Sequence, residues 1–224
     1  MTLIQHHPNL YTLDAPLPKN PIGRRMSVIR FNDQELALHS PILLEGEQKA
    51  RLDQLGKVRY ILVPNEWHTL DTQAVSAQYP DAKIIIPAPL KSRLSKKFNC
   101  ENSYEAQWQG PISEALSVNA VDGLKKPEMI FFHHESKSLI VTDLFFNFNK
   151  DDFSGPTQWL MKMNKATQLG TTRLYQWSMV KDTSAFKSSL HQITQGYDIQ
   201  RLIPCHGHII NDNAQAKIEK AIHS

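Results

Sequence analysis

Residues 58–71 read VRYILVPNEWHTLD. The first half is a continuous apolar run of strand length, the pattern of a strand buried on both faces. Pro64 stops it. Asn65, Glu66, Trp67, His68, Thr69, Leu70 and Asp71 are then crowded into one turn. Such a turn holds polar side chains at a strand end, where ligands of sheet-based folds collect.

Working outward, the flanks alternate. ELALHSPILL before it reads as a strand stopping near Ser40-Pro41, and GEQKARLDQLG as a short helix, with Ala50, Leu52 and Leu55 on one side and Gly56 as its stop. DTQAVSAQYP is a helix closed by Pro80, AKIIIPAP the next buried strand, and LKSRLSKKF a short basic helix. NLYTLDAPL and MSVIRF, nearer the N-terminus, read as strands. Strand and helix in alternation predict a sheet with helices packed on it. EALSVNAVDG, EMIFFHHES and KSLIVTDLFF then follow as three strand-like runs, the last two joined by a tight turn and so antiparallel. TQWLMKMNKATQLG and TSAFKSSLHQITQG read as amphipathic helices, the second capped by Thr183 or Ser184 and ended by Gly196. IQRLIPCHGHII is a strand running into a histidine loop, and NAQAKIEKAI a last helix. Two sheet-rich halves with helices outside both predict an α+β chain in four layers: helices, sheet, sheet, helices. A single domain over residues 1–224 is expected.

Bulk properties narrow the function classes. The 224 residues are 41% hydrophobic and 21% charged, an ordinary globular composition with enough chain for a sizeable core. A net charge of +3 and a pI near 8.8 are mildly basic, with no aromatic–basic interleaving, so a nucleic-acid partner is not expected. No run approaches the roughly 20 apolar residues of a membrane helix, and the N-terminal stretch has no long apolar segment. Neither a membrane partner nor a signal peptide is expected. Cys100 and Cys205 are most simply reduced thiols of a cytoplasmic protein.

Residues able to bind metal or move protons gather at four predicted strand ends: His39; Glu66, His68 and Asp71; Asp143; and His206 with His208. Here the chain resembles the metallo-β-lactamase fold superfamily over nearly its whole length, as a divergent, uncharacterised branch. YILVPNEWHTLD sits where that family has a strand followed by His-x-His-x-Asp-His. KSLIVTDLFF sits where it has a strand ending in Gly-Asp, and RLIPCHGHII is similar to its late Pro-x-His-Gly loop. The resemblance implies the αββα sandwich of two mixed sheets, and zinc or iron hydrolase chemistry.

The metal motif is rewritten. Asp143 matches the bridging aspartate, with Thr142 where the family has glycine, and His206 matches the late histidine. The family's middle histidine falls near VDGLKKPE, where only Glu128 is close enough to substitute. The first motif fits in three registers. One leads with Asn65 and leaves no good ligand. One leads with Glu66 and offers Glu66, His68 and Asp71. One ends on His68. The candidate ligands are therefore His68, Asp143 and His206, with Glu66 and Asp71 as further candidates. Such a set suits one zinc or ferrous ion rather than a pair.

Asp143 and His68 are the candidate catalytic residues. His39, Ser40, Asn65, Trp67 and His208 are the candidate pocket lining for a small-molecule substrate or ligand. Trp67, Trp159 and Trp177 could wall an apolar pocket, with core packing the default expectation. His133 and His134, adjacent on a strand, point to opposite faces and read as structural. Arg24 and Arg25 could clamp an anion, and His6 and His7 lie in a flexible end. Two readings stay open. One is a metal-dependent hydrolase with a mononuclear site. The other is a metal-free pseudoenzyme whose cleft binds a small molecule or protein partner. The missing middle histidine tips the balance slightly to a metal-poor or metal-free site.

Overall fold

A computed structural model describes residues 2–31, 34–100 and 102–223. The chain forms two compact units. One is Met1–Ala15, Arg25–Val118 and His134–Ser136; the other is Pro16–Arg24, Asn119–His133 and Lys137–Ser224.

The first unit is built on a seven-stranded sheet whose order follows the chain: β1 (Leu3–His7), β2 (Leu10–Leu17), β3 (Asn20–Phe31), β4 (Glu35–His39), β5 (Lys57–Leu62), β6 (Lys83–Ile86) and β7 (Asn102–Ser103). The pairs β1–β2 and β3–β4 are antiparallel, while β4 to β7 run parallel. Parallel neighbours need crossovers. Helix α1 (Gly46–Leu55) leads from β4 to β5, α2 (Thr72–Gln78) from β5 to β6, and α3 (Lys91–Leu94) follows β6. Two short helices, α4 (Tyr104–Gln107) and α5 (Pro111–Ala115), come after β7. Leu38, Leu52, Ile61, Val63, Val75 and Ile86 are buried in one apolar cluster. Helix α1 presents Leu52 to it, while Ala50 faces solvent and Leu55 is half-buried.

Residues 3–7 are a paired strand, which corrects the reading of a flexible end. His6 Nε2 lies 2.8 Å from Thr12 Oγ1, and Asn9 N donates to His7 Nδ1.

The second sheet has the order β11-β10-β9-β8, from β8 (Leu116–Ala120), β9 (Met129–His133), β10 (Ser138–Val141) and β11 (Arg201–Pro204). β9 and β10 form the expected antiparallel hairpin, and β10 and β11 are parallel. The helices of the second unit are α6 (Gly155–Met163), α7 (Arg173–Met179), α8 (Thr183–Gln195) and α9 (Ala214–His223). Leu139, Val141, Phe145, Tyr175, Leu190, Leu202 and Ile218 share its core cluster.

Three readings change here. The helix expected over 157–170 ends at Met163. Asn164 caps it, Lys165 turns left-handed at φ +58°, and the chain then returns beside Phe146 and Phe148. Helix α7 was not foreseen. Thr172 starts it by accepting from Tyr175 N, and Tyr175 and Met179, four apart, are its buried side. Asp182, rather than Thr183 or Ser184, caps α8 by accepting from Ala185 N. Burying Met161, Tyr175 and Met179 turns Trp159 and Trp177 outward, 64% and 80% exposed, so neither is core.

Candidate metal centre

In the first unit, register brings two chain segments to one sheet end. His39, the last residue of β4, pairs with Leu62, the last of β5. Ser40 N continues the ladder by donating to Leu62 O, and Val63 N donates to Ile85 O. The loop after β5 therefore emerges beside Ser40.

Asn65 builds that loop. Its buried Oδ1 accepts from Trp67 N and His68 N, both at 3.0 Å, so the side chain imitates a backbone turn. This presents the His68 ring towards Ser40, whose Oγ lies 2.5 Å from His68 Nδ1. Ser40 is held at φ +53°, a left-handed conformation uncommon for a residue with a side chain. Glu66 is buried and forms an ion pair with Arg93 Nη1 at 2.8 Å. Asp71 Oδ2 accepts from Leu43 N at 2.9 Å. Trp67 and Leu70 are exposed on either side of His68. Arg25 lies buried in a two-bond ion pair with Asp14, at 2.7 and 2.8 Å, while Arg24 Nε donates to Pro16 O.

His39 is fully buried beside this loop. Burial, and then the neighbouring His68, lowers its pKa from the ordinary 6.5 to about 3. The folded chain thus holds a neutral ring, whereas the unfolded chain takes up a proton near 6.5. Stability from this group is fully present above pH 6.5 and is lost as pH falls from there towards 3. At pH 5 the expected loss is about 2 kcal/mol, from 1.36 kcal/mol per unit. Urea unfolding at pH 7 and pH 5 measures it, and His39→Gln is expected to flatten the difference.

In the second unit the register Val141↔Pro204 sets the turn after β10 beside the loop after β11, and Cys205 N donates to Val141 O. Asp143 and His206 are carried by these two segments. His206 Nδ1 lies 2.8 Å from Gly23 O. A carbonyl only accepts, so Nδ1 carries the hydrogen. His206 Nε2 then faces Asp143 Oδ1 at 3.3 Å. In a neutral ring these are two acceptors aimed at each other, an arrangement that calls for a cation or a proton between them. Phe146 stacks on the imidazole, centroids 5.3 Å apart and planes within 11°, and fixes its tilt. Gly207 turns the chain at φ +87°, and His208 swings outward, where its ring meets Asp152 at 2.7 Å. Cys205 is buried, as its alternation with His206 predicts.

Glu128 is a site residue whose role was not legible in the sequence. Its buried Oε1 accepts from Thr142 Oγ1 at 2.7 Å, Asp143 N at 3.0 Å and Leu144 N at 3.1 Å, and Oε2 accepts from Tyr175 O–H at 2.7 Å. Burial, with the adjacent carboxylate, raises the Tyr175 phenol far above its ordinary range, so it stays a donor. Gly23 and Phe146 were likewise unforeseen. A backbone carbonyl leaves no residue-type signal, and a phenylalanine reads as core.

In the second unit, His206 Nε2 and Asp143 Oδ1 present two metal-ligating atoms to each other at 3.3 Å; His68, in the first unit, holds its Nδ1 on Ser40. The carboxylates of Glu66, Asp71 and Glu128 are engaged as above. The donors fit a single ion. Two ligands about 2.1 Å from a tetrahedral metal lie roughly 3.4 Å apart, close to the 3.3 Å between His206 Nε2 and Asp143 Oδ1. Each imidazole also has its Nδ1 engaged, by Ser40 or by Gly23, as outer-shell partners hold metal-ligating histidines. No helix of the described residues is long and apolar enough to cross a membrane.

No family model matches the sequence, and no curated protein matches it significantly. Solved structures do. A metallo-β-lactamase from Pontibacter korlensis aligns with 100% of this chain and 99% of its own, at 9% identity and TM-score 0.65. The metallo-β-lactamase FIM-1 from Pseudomonas aeruginosa, in its mono-zinc form, aligns over 99% and 94%, at 9% identity and TM-score 0.63. Rubredoxin oxygen:oxidoreductase from Desulfovibrio gigas aligns over 99% of this chain and 61% of its own, at 13% identity and TM-score 0.69. The chain has the metallo-β-lactamase fold, α+β with two mixed sheets, as the resemblance implies. The low identity fits a divergent branch.

Proposed function

We propose that this chain is a metal-dependent hydrolase whose mononuclear centre is held by His68, Asp143 and His206. The observation that carries the reading is the pairing of two metal-ligating atoms in the second unit, His206 Nε2 facing Asp143 Oδ1 at 3.3 Å. The Nδ1 contacts of both histidines support it, because outer-shell partners of this kind orient metal-ligating rings. That a metallo-β-lactamase of this fold has been solved in a mono-zinc form shows the fold to be compatible with one ion.

A bound zinc or ferrous ion would bring the pKa of a water towards about 7 and polarise an ester, amide or phosphoester oxygen. The protein's own part is positional and protic. His68 and His206 orient the centre from two strand ends. Asp143, its side chain 16% exposed, is the group open to a water and able to hold its proton. Asn65 sets His68 in place from within the loop. Trp67 and Leu70 offer an apolar rim beside His68 for a small-molecule substrate.

Elemental analysis of untagged protein tests this. About one zinc or iron per chain, restored after chelation, is expected. Absence of stoichiometric zinc, iron or manganese even after reconstitution overturns it, and leaves the pseudoenzyme reading in its place.

A further inference from the structure

We infer that Glu128 is a positioning residue for this centre, acting through Asp143; the inference rests on the metal reading above. A carboxylate in the protein interior is costly unless donors surround it. Glu128 is buried, and four donors converge on it. Three come from consecutive residues: the Thr142 hydroxyl and the Asp143 and Leu144 amides all point at Oε1. The turn after β10 is thus wrapped around one oxygen atom. Its backbone direction at Asp143 is set from behind, and the Asp143 side chain stands on the His206 side with Oδ1 at 3.3 Å. The fourth donor, Tyr175 on α7, holds Oε2 and keeps the Glu128 carboxylate from rotating.

A residue that only stapled the turn would contribute stability and nothing else. Glu128 does more on two counts. It fixes the residue that offers the centre its carboxylate, and it sets a second negative charge directly behind that residue, which favours a cation in front of it. Outer-shell partners of this kind are worth about 10–100-fold in metal affinity.

The test is zinc and cobalt(II) affinity by chelator competition, far below the melting temperature, for the full chain and for Glu128→Gln. The glutamine keeps the size and an Oε1 acceptor but removes the charge. Its dissociation constant is expected to rise about 10–100-fold, with an altered cobalt absorption spectrum. A merely structural role would lower the melting temperature and leave both unchanged. Tyr175→Phe and Thr142→Val keep the carboxylate and each remove one donor. Several-fold weaker binding is expected of each, and they carry the test if Glu128→Gln does not fold. Wild-type affinity and spectrum in the folded variants overturn the assignment while leaving the metal centre standing. A wild-type chain that binds no ion overturns both.

Discussion

Replacing His206 with alanine is expected to abolish stoichiometric metal binding, with affinity falling at least about 100-fold, beyond the cost of losing an outer-shell partner. Nε2 is removed from the pair it forms with Asp143. The Gly23 carbonyl loses its donor and Phe146 loses its stacking partner. Because the side chain is buried, a stability loss of about 1–3 kcal/mol accompanies this. His208→Ala is the control. That ring is largely exposed and paired only at the surface with Asp152, an interaction worth below about 1 kcal/mol, so metal content and melting temperature should stay within error of wild type. Elemental analysis and thermal unfolding of the two variants check the pair of expectations. Equal metal content in His206→Ala and wild type would count against the centre.

Gly207→Ala is expected to cost about 2–4 kcal/mol and to weaken metal binding with it. Gly207 sits at φ +87°, where a side chain is strained, and a Cβ there would lie 2.3 Å from Asn147 O and 2.6 Å from Asn147 C. The obstacle is backbone, held in place by a bridge between Asn147 and Gly207 and by His208 N donating to Asn147 O. No rotamer relieves such a contact, so the segment must move and take its neighbour His206 with it. Chemical unfolding gives the first quantity and a metal titration the second. A variant as stable as wild type would mean that this loop is softer than its contacts imply.

The apolar runs carry the fold because period and length alone determine what they can bury. VRYILV and KIII read as strands by length and apolar content, although Arg59 and Tyr60 stay half-exposed in the fold, and KSLIV after EMIFFH reads as a hairpin arm. Order along the chain then restricts the topology, because parallel neighbours require crossovers. Helix limits were less legible. The pattern over 157–170 continues past Met163, and only the packing of residues 165–172 against Phe146 and Phe148 breaks it. Exposure of Trp159 and Trp177 escaped for the same reason: which side of a short helix is buried depends on its neighbours.

For the site, the sequence by itself determined the fold and the candidate donors at the strand ends, His68, Asp143 and His206 among them. Spacing could not decide among the three registers of the first motif, because a turn obeys no period. The tertiary structure decided what each polar residue of that turn does. Asn65 folds it, Glu66 meets Arg93, Asp71 holds Leu43 N, and His68 sets its Nδ1 on Ser40. It also decided Glu128, which looked like a stand-in ligand at a missing histidine's place and is instead a buried acceptor behind Asp143. The physical reason is common to all of these. A residue type says which bonds a side chain can make, and only the three-dimensional arrangement says which partner comes within 3 Å.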